Sequence, residues 1–137
     1  MRFAAILLSI AAFAQPAGAQ DSPAATQAAT KAAEVWLAQV DAGDYAGSWK
    51  EGAATFRGLV SQERWNEALR GARAPLGAVK SRTLARAQHT LKLPGAPEGE
   101  YVVIEYRTEF ATRAGTETVV PMREADGSWK VSGYFVK

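Results

Sequence analysis

The chain has 137 residues, and its 16 basic and 14 acidic residues give a formal net charge of +2. Such a balance argues against a general binder of nucleic acid or another polyanion. The chain contains no cysteine, which excludes disulfide bonds and thiol chemistry. Stability must therefore come from packing of the hydrophobic residues, which make up 47% of the sequence.

Residues 1–19 have the pattern of a secretory signal peptide. Arg2 gives a positive start, Phe3 to Ala14 an apolar segment, and Ala17 to Ala19 a small-residue cleavage site. The rival interpretation is a membrane anchor that stays in the mature protein. Because no later apolar run is long enough to span a bilayer, we predict a periplasmic or secreted protein. After cleavage it would be a single domain, residues 20–137, without membrane insertion.

The residues after the signal have helical spacing. Ser22 and Pro23 fit an N-cap and a first helical residue, and Gly43 fits the position just past a helix end. Between them, one face carries the apolar residues: Ala25, Ala29, Ala32, Ala33, Trp36, Leu37 and Val40.

Shorter helical segments follow this first helix. Asp44 is a candidate cap for a helix that carries Tyr45 and Trp49 on one side, and a further turn is expected around Phe56. Ser61 is a candidate cap for the next helix. The apolar stripe of that helix is Trp65, Ala68, Leu69 and Ala72.

From Val79 onward the pattern alternates as in strands. Val79 to Leu93 predicts a long bulged strand, and a turn at residues 94–99 leads into a second strand that ends at Phe110. Residues 116–124 and 127–137 predict two more strands. The inward face of the second strand is Val102, Ile104, Tyr106, Thr108 and Phe110. Helices followed by an antiparallel meander predict an α+β domain whose helices pack in a curved antiparallel sheet.

Several segments are informative in combination: WLAQVDAGDYAGSW, RAPLGAVKSR, LPGAPEGEYVVIEY, ETVV and DGSWKVSGYFV. Together they resemble a bacterial family catalogued as a domain of unknown function (number 4019), over about Ala32 to Val136. That family is similar to the cone-shaped fold of nuclear transport factor 2 and ketosteroid isomerase. The resemblance implies this fold and an exported location. It implies no activity and no catalytic residues.

A cone-shaped fold has an opening between helices and sheet, where a ligand is expected to bind. The tryptophans as a group are better explained as core. A buried phenol needs a hydrogen-bond partner, so the tyrosines are better ligand candidates. The candidate ligand-binding residues are Tyr45, Trp49, Tyr106 and Tyr134.

The closing strand carries three aromatic residues. We expect Trp129 to point to the core and Lys130 to solvent, and Gly133 to mark a bulge that switches the alternation. Tyr134 should then face inward and Phe135 should cover the other face or an oligomer contact. The predicted core combines Trp36, Leu69, Ile104, Trp129 and Val131.

Groups for acid–base chemistry are few. His89 is the only histidine, which excludes an all-histidine metal site, and we predict no metal and no cofactor. A surface or edge-strand position is favoured for His89 over a role as general base. Asp41 and Asp44 are explained by helix ends. No lone acid is expected within an apolar strand face, where a catalytic one would lie.

Between Glu67 and Glu98 the chain has basic but no acidic residues. This band offers a patch for an anionic partner, formed by Arg70, Arg73, Arg82 and Arg86. The favoured alternative is that Arg82 and Arg86 face Glu105 and Glu109 across a strand pair.

The leading hypothesis is a non-catalytic exported module that binds a small ligand or an envelope protein in the cavity or on the sheet face. A homodimer through the sheet face is a further expectation. The alternative is an isomerase or dehydratase that uses His89 or a carboxylate beside Tyr106, and a purely structural role in the envelope is a third. An ionisable side chain that points into the cavity would favour the enzyme.

Export with cleavage after Ala19 predicts a mature protein that begins at Gln20. Mass spectrometry of the N-terminal peptide from the extracytoplasmic fraction checks the site. Protein with an intact Met1 in a membrane pellet would contradict both the cleavage and the soluble domain.

Overall fold

The computed structural model describes residues 23–137, so the predicted signal peptide and the predicted cap Ser22 lie outside the described residues. Four helices precede four strands that form one antiparallel sheet in the order β1-β2-β3-β4, which confirms the α+β class. The elements are α1 Pro23–Asp41, α2 Tyr45–Lys50, α3 Ala54–Leu59, α4 Gln62–Arg73, β1 Val79–Thr90, β2 Tyr101–Phe110, β3 Ala114–Arg123 and β4 Trp129–Val136.

Local signals set the helix boundaries. Gly43 has a φ of 80°, a left-handed conformation that favours glycine after a helix end. The Asp44 carboxylate accepts a hydrogen bond from the Gly47 amide at 3.0 Å, and the Ser61 hydroxyl accepts one from the Arg64 amide at 3.3 Å. The two predicted caps are therefore confirmed, because each depends only on residues nearby in sequence.

The core lies between α1 and the sheet. Buried alanines on α1, Ala29 and Ala33, allow a close approach, while Trp36 fills the space beyond them. The Trp36 ring lies 6.1 Å from that of Trp65 and 5.4 Å from that of Tyr134, so this one indole joins α1, α4 and β4. Leu69, Ile104, Val119 and Val131 belong to the same cluster.

Trp129 departs from the predicted core. It is only partly buried and packs against the edge of the cluster. Lys130 beside it is also only partly exposed, so the expected contrast between the two residues is weak. Both are the first residues of β4 and are partly buried, whereas Val131 after them is buried.

A bulge in β4 divides the strand. Val120 pairs with Gly133 and Pro121 pairs with Val131, so Ser132 is the extra residue, next to the predicted Gly133. Its hydroxyl donates to the Val120 carbonyl at 2.8 Å. Beyond the bulge, Tyr134 is 8% exposed and Phe135 is 61% exposed, which confirms the predicted directions of both rings.

The sheet is also covered on part of its second face. Tyr101 pairs with Met122, and both are buried on the side away from Ile104. The Tyr101 hydroxyl donates to the Pro97 carbonyl at 2.6 Å, and the Thr55 hydroxyl approaches the Met122 sulfur at 3.1 Å. The loop between β1 and β2 and helix α3 therefore form a second, smaller layer. Among residues 23–137, no helix has the length and apolar character needed to cross a bilayer.

Trp36→Ala should lower the free energy of unfolding by about 3–5 kcal/mol, since truncation of a buried Trp leaves a cavity. Trp129→Ala is the matched control and should cost clearly less, because Trp129 is only partly buried. Urea denaturation of both variants measures the difference. Equal losses would contradict the assignment of Trp36 as the centre of the core.

Candidate functional site

Charged and polar side chains meet inside the fold, between α1, α4 and the sheet. Each strand contributes one of them, and the two long helices contribute one each from their C-terminal residue. We call this group the polar cluster, and its members are Asp41, Arg73, Arg82, Thr108, Glu117 and Tyr134.

Glu117 is the centre of the polar cluster, and its side chain is completely buried. Arg82 donates from Nε to Oε1 at 2.7 Å and from Nη2 to Oε2 at 3.1 Å. The Thr108 hydroxyl donates to Oε1 at 2.5 Å, and the Tyr134 hydroxyl donates to Oε2. A carboxylate has about four acceptor positions, so these donors occupy all of them.

Asp41 accepts from the same guanidinium. Arg82 donates from Nη1 to Oδ2 at 2.8 Å and from Nη2 to Oδ1 at 3.0 Å, while Arg73 Nη2 donates to Oδ1 at 2.9 Å. Two guanidinium groups therefore balance two carboxylates. This balance matters because an unpaired charge in a protein interior is strongly destabilising.

The pKa values reflect this arrangement. Burial alone would raise the pKa of Asp41, but the hydrogen bonds and charges of Arg82 and Arg73 outweigh it and hold the pKa below 3.8. Burial, and then the adjacent Glu117 carboxylate, raise the pKa of Tyr134 far above its ordinary value. Tyr134 therefore stays protonated and acts as a donor to Glu117.

The polar cluster corrects several sequence-based predictions. Glu117 is a lone acid on an inward strand face, where the sequence predicted none. Its spacing of two from Val119 in ETVV places both residues on one face and could have revealed this position. Asp41 binds two arginines, so a helix-end role does not explain it. Arg86 lies opposite Glu105, but Arg82 lies opposite Thr108 and not opposite either glutamate. The cause is the register shift between Leu84 and Arg86, because a regular ladder from Arg86 would place Arg82 opposite Glu109.

The predicted basic patch is divided by the fold. Arg73 is buried, in the stripe of α4 where Ala72 was expected, and the side chain of Arg82 is only 16% exposed. Both face the polar cluster. Arg70 and Arg86 are exposed, so only these two of the four are directed outward.

Tyr106 lies opposite Glu117 in the register of β2 and β3, which places a carboxylate beside it as the enzyme hypothesis requires. Its hydroxyl is buried and has no hydrogen-bond partner within the described residues. Burial, and then the charge of Glu34, raise the pKa of Tyr106 to about 12. Glu117 already accepts four hydrogen bonds, and none of them comes from Tyr106.

His89 lies on β1, at the edge of the sheet, as the sequence predicted. Its side chain is only 5% exposed, however, which corrects the expected surface position. Its Nε2 is 2.8 Å from Oε1 of Glu100, and Arg123 Nη1 lies 3.4 Å from the other carboxylate oxygen. The hydrogen bond with His89 is the main cause of the lowered pKa of Glu100.

A concave apolar surface lies beside β4, and we call it the apolar pocket. It has a volume of about 420 Å³. Phe56 from α3 and Trp65 from α4 meet edge to face at 4.9 Å in its wall. The pocket is lined by Thr55, Phe56, Leu59, Val60, Trp65, Leu93, Pro94, Gly95, Ala96, Pro97, Tyr101, Val120, Ser132, Gly133, Tyr134 and Phe135.

The candidate ligand residues relate differently to this pocket. Tyr134 lines it with its ring, while its hydroxyl belongs to the polar cluster. Trp49 supports the wall, because its indole N–H donates to the Val60 carbonyl at 2.7 Å. Tyr45 packs against the core and Tyr106 is buried in the sheet; neither lines the pocket. The wall from the loop after β1 was not predicted, since PGAPEG reads only as a turn.

No metal site competes with this pocket in the part of the chain that the structure describes. Residues 23–137 contain no group of three or more His, Asp or Glu side chains that could hold an ion.

Asp41→Asn should lower the free energy of unfolding at neutral pH by about 1–3 kcal/mol, the usual cost of losing hydrogen bonds to a charged group. Because the folded-state pKa lies below 3.8, the stabilisation by Asp41 is complete above that value and is lost as the pH falls through the folded pKa. The difference from wild type should therefore shrink in acid.

Urea denaturation of both proteins from neutral pH to about pH 2 measures this difference. Asp44→Asn, which keeps a good cap, controls for the loss of one charge at neutral pH and should cost little there. A difference that is the same at every pH would contradict the role of the Asp41 carboxylate.

No curated protein and no solved structure matches the chain. The family model described as "Protein of unknown function (DUF4019)" matches residues 32–134, a range that contains the polar cluster and most of the apolar pocket. The chain therefore belongs to the DUF4019 family.

Proposed function

We propose that this protein is an exported, non-catalytic module that binds a small apolar ligand in the apolar pocket. The observation that carries the proposal is the character of the lining. It contains aromatic and aliphatic side chains, and no Asp, Glu, Lys, Arg or His from residues 23–137. Its volume of about 420 Å³ falls in the range of small-molecule sites, about 300–1,000 Å³.

Exposure at the rim supports the same proposal. Leu59 is 80% exposed and Phe135 is 61% exposed, and both line the pocket. Neighbouring exposed apolar side chains at a concave surface are typical of a binding site. A ligand that covered these two side chains would remove apolar area from water, at about 25 cal/mol per Å².

The interior of the pocket is held in shape by hydrogen bonds that do not involve a ligand. Tyr101 fixes the loop at Pro97, Trp49 fixes Val60, and Tyr134 is fixed by Glu117. A preformed pocket loses little conformational freedom on binding. Within residues 23–137, the polar side-chain groups of the lining are hydroxyls and the Trp65 indole N–H, which already donates to Ser48, so recognition should depend on shape and apolar area.

Two features support the non-catalytic part of the proposal. Glu117, the buried carboxylate nearest to the pocket through Tyr134, has all its acceptor positions occupied. His89 is bonded to Glu100 and does not line the pocket. Export rests on the signal-peptide pattern, and the cone-shaped arrangement rests on the family resemblance.

Binding can be tested with decanol, an uncharged probe of suitable size. In protein with ¹⁵N-labelled tryptophan, decanol should shift the indole N–H resonance of Trp65 in a saturable way. The double variant Leu59→Ser/Phe135→Ser should bind about tenfold more weakly, since it removes about 1.4 kcal/mol or more of apolar contact. Both side chains are exposed, so the variant should fold.

Leu91→Ser is the matched control, because Leu91 is 44% exposed and lies outside the pocket. It should leave the affinity unchanged. An unshifted Trp65 resonance, or equal affinity of the double variant and wild type, would overturn the proposal.

A further inference from the structure

A second concave surface lies on another side of the molecule, between the outward side of α1 and the beginning of β4. Its volume is about 400 Å³, and it shares no lining residue with the apolar pocket. We call it the tryptophan groove. Its principal side chains are Lys31, Val35, Gln39, Glu51, Trp129 and Lys130.

The four tryptophans differ in how their indole N–H groups are used. Trp36 donates to the Ser48 carbonyl at 2.9 Å, Trp49 donates to the Val60 carbonyl at 2.7 Å, and Trp65 donates to the Ser48 hydroxyl at 3.0 Å. The N–H of Trp129 donates to no acceptor within residues 23–137. Trp129 therefore brings a flat apolar face and an uncommitted donor to the groove.

The partial exposure of Trp129 has no explanation in the core. Trp36 takes the central position in the cluster, and Trp129 only packs against its margin. Trp129 lines the groove together with the small side chains of Ala28 and Ala32 on α1, so part of the residue is open to the groove. A large aromatic side chain in such a position is typical of a recognition surface.

The groove is also lined by charged residues that form no ion pair with one another. Lys31 and Lys130 form no ion pair with any other side chain in the described part of the chain. Glu51 and Gln39 offer acceptors, and the Gln39 amide offers donors as well. The lining holds two ammonium groups and one carboxylate, and Lys130 also interacts electrostatically with Asp126 outside the lining. The excess of positive charge is therefore small, and an anion is attracted chiefly by direct pairing with an ammonium group.

We propose that the tryptophan groove binds a sugar that carries a carboxylate group. A sugar ring has an apolar C–H face that can stack on the Trp129 indole, and hydroxyls at its edge that can bond to Gln39, Glu51 and the indole N–H. The carboxylate pairs with Lys31 or Lys130. A hydrocarbon ligand would displace water from these polar groups without offering hydrogen-bond partners, which costs free energy of binding.

A matched pair of ligands tests each part of this proposal. Trigalacturonate carries both the sugar rings and the carboxylates, and its methyl ester keeps the rings without the charge. Citrate carries the charge without the rings. The indole N–H resonance of Trp129 in ¹⁵N-tryptophan-labelled wild-type protein reports binding without any substitution.

Trigalacturonate should shift the Trp129 resonance in a saturable way at millimolar concentration, while the Trp65 resonance stays in place. The methyl ester should bind about tenfold more weakly, a loss of about 1.4 kcal/mol, because it cannot form the charge-assisted contact. The double variant Lys31→Gln/Lys130→Gln should weaken binding of the acid but not of the ester. Lys50→Gln, an exposed lysine outside the groove, is the control and should change neither.

Trp129→Phe keeps an aromatic face but removes the N–H, and it should weaken binding of both sugars while the protein stays folded. Binding to Trp129→Phe can be followed by calorimetry. An unshifted Trp129 resonance would overturn the proposal. So would citrate that binds as tightly as trigalacturonate, or an ester that binds as tightly as the acid. None of these results depends on the apolar pocket.

Discussion

The fold depends on one guanidinium group that two carboxylates share. Arg82 bonds to Asp41 at the end of α1 and to Glu117 in the middle of β3, so the longest helix is joined to the sheet through a guanidinium group that is only partly exposed. Arg73 extends the connection to α4. Each partner is costly to bury alone and acceptable only with the others. The bonds of the cluster connect α1, α4 and all four strands at one place.

The apolar pocket is arranged around this fixed point. Tyr134 takes part in both, with its hydroxyl on Glu117 and its ring in the pocket wall. The rings of Trp36 and Tyr134 are in contact. A change in the polar cluster that moved Tyr134 would therefore move part of the pocket wall and disturb its packing against Trp36. The protein thus separates two tasks: charged side chains hold the frame, and uncharged side chains form the concave surface.

The parts of this structure that depend on near neighbours could be predicted from the sequence. Asp44 and Ser61 cap helices through bonds three residues away, and the alternation in β2 shows which face is buried. The polar cluster depends on contacts such as Arg82 with Asp41, 41 residues apart, and no local pattern shows them. Arg73 was read as a surface residue because arginines usually are. The loop wall of the pocket could not be predicted either. The turn residues Pro94 to Gly99 show that the chain reverses, but they do not show that the loop packs against Tyr101 and lines a pocket.

The extra residue Ser132 divides β4 into two parts, in which the inward-facing positions follow different spacings. Before it, Val131 faces the core, and after it Tyr134 does so at a spacing of three instead of two. If Ser132 instead took a regular place in the ladder opposite Val120, the alternation would be restored and every later side chain of β4 would turn over. Phe135 would then meet the buried carboxylate of Glu117, and the phenol that satisfies that carboxylate would be in water. The faces of the last residues of β4 are consequently set by the point at which the ladder leaves one residue out, and the bond from the Ser132 hydroxyl to the Val120 carbonyl holds that residue there.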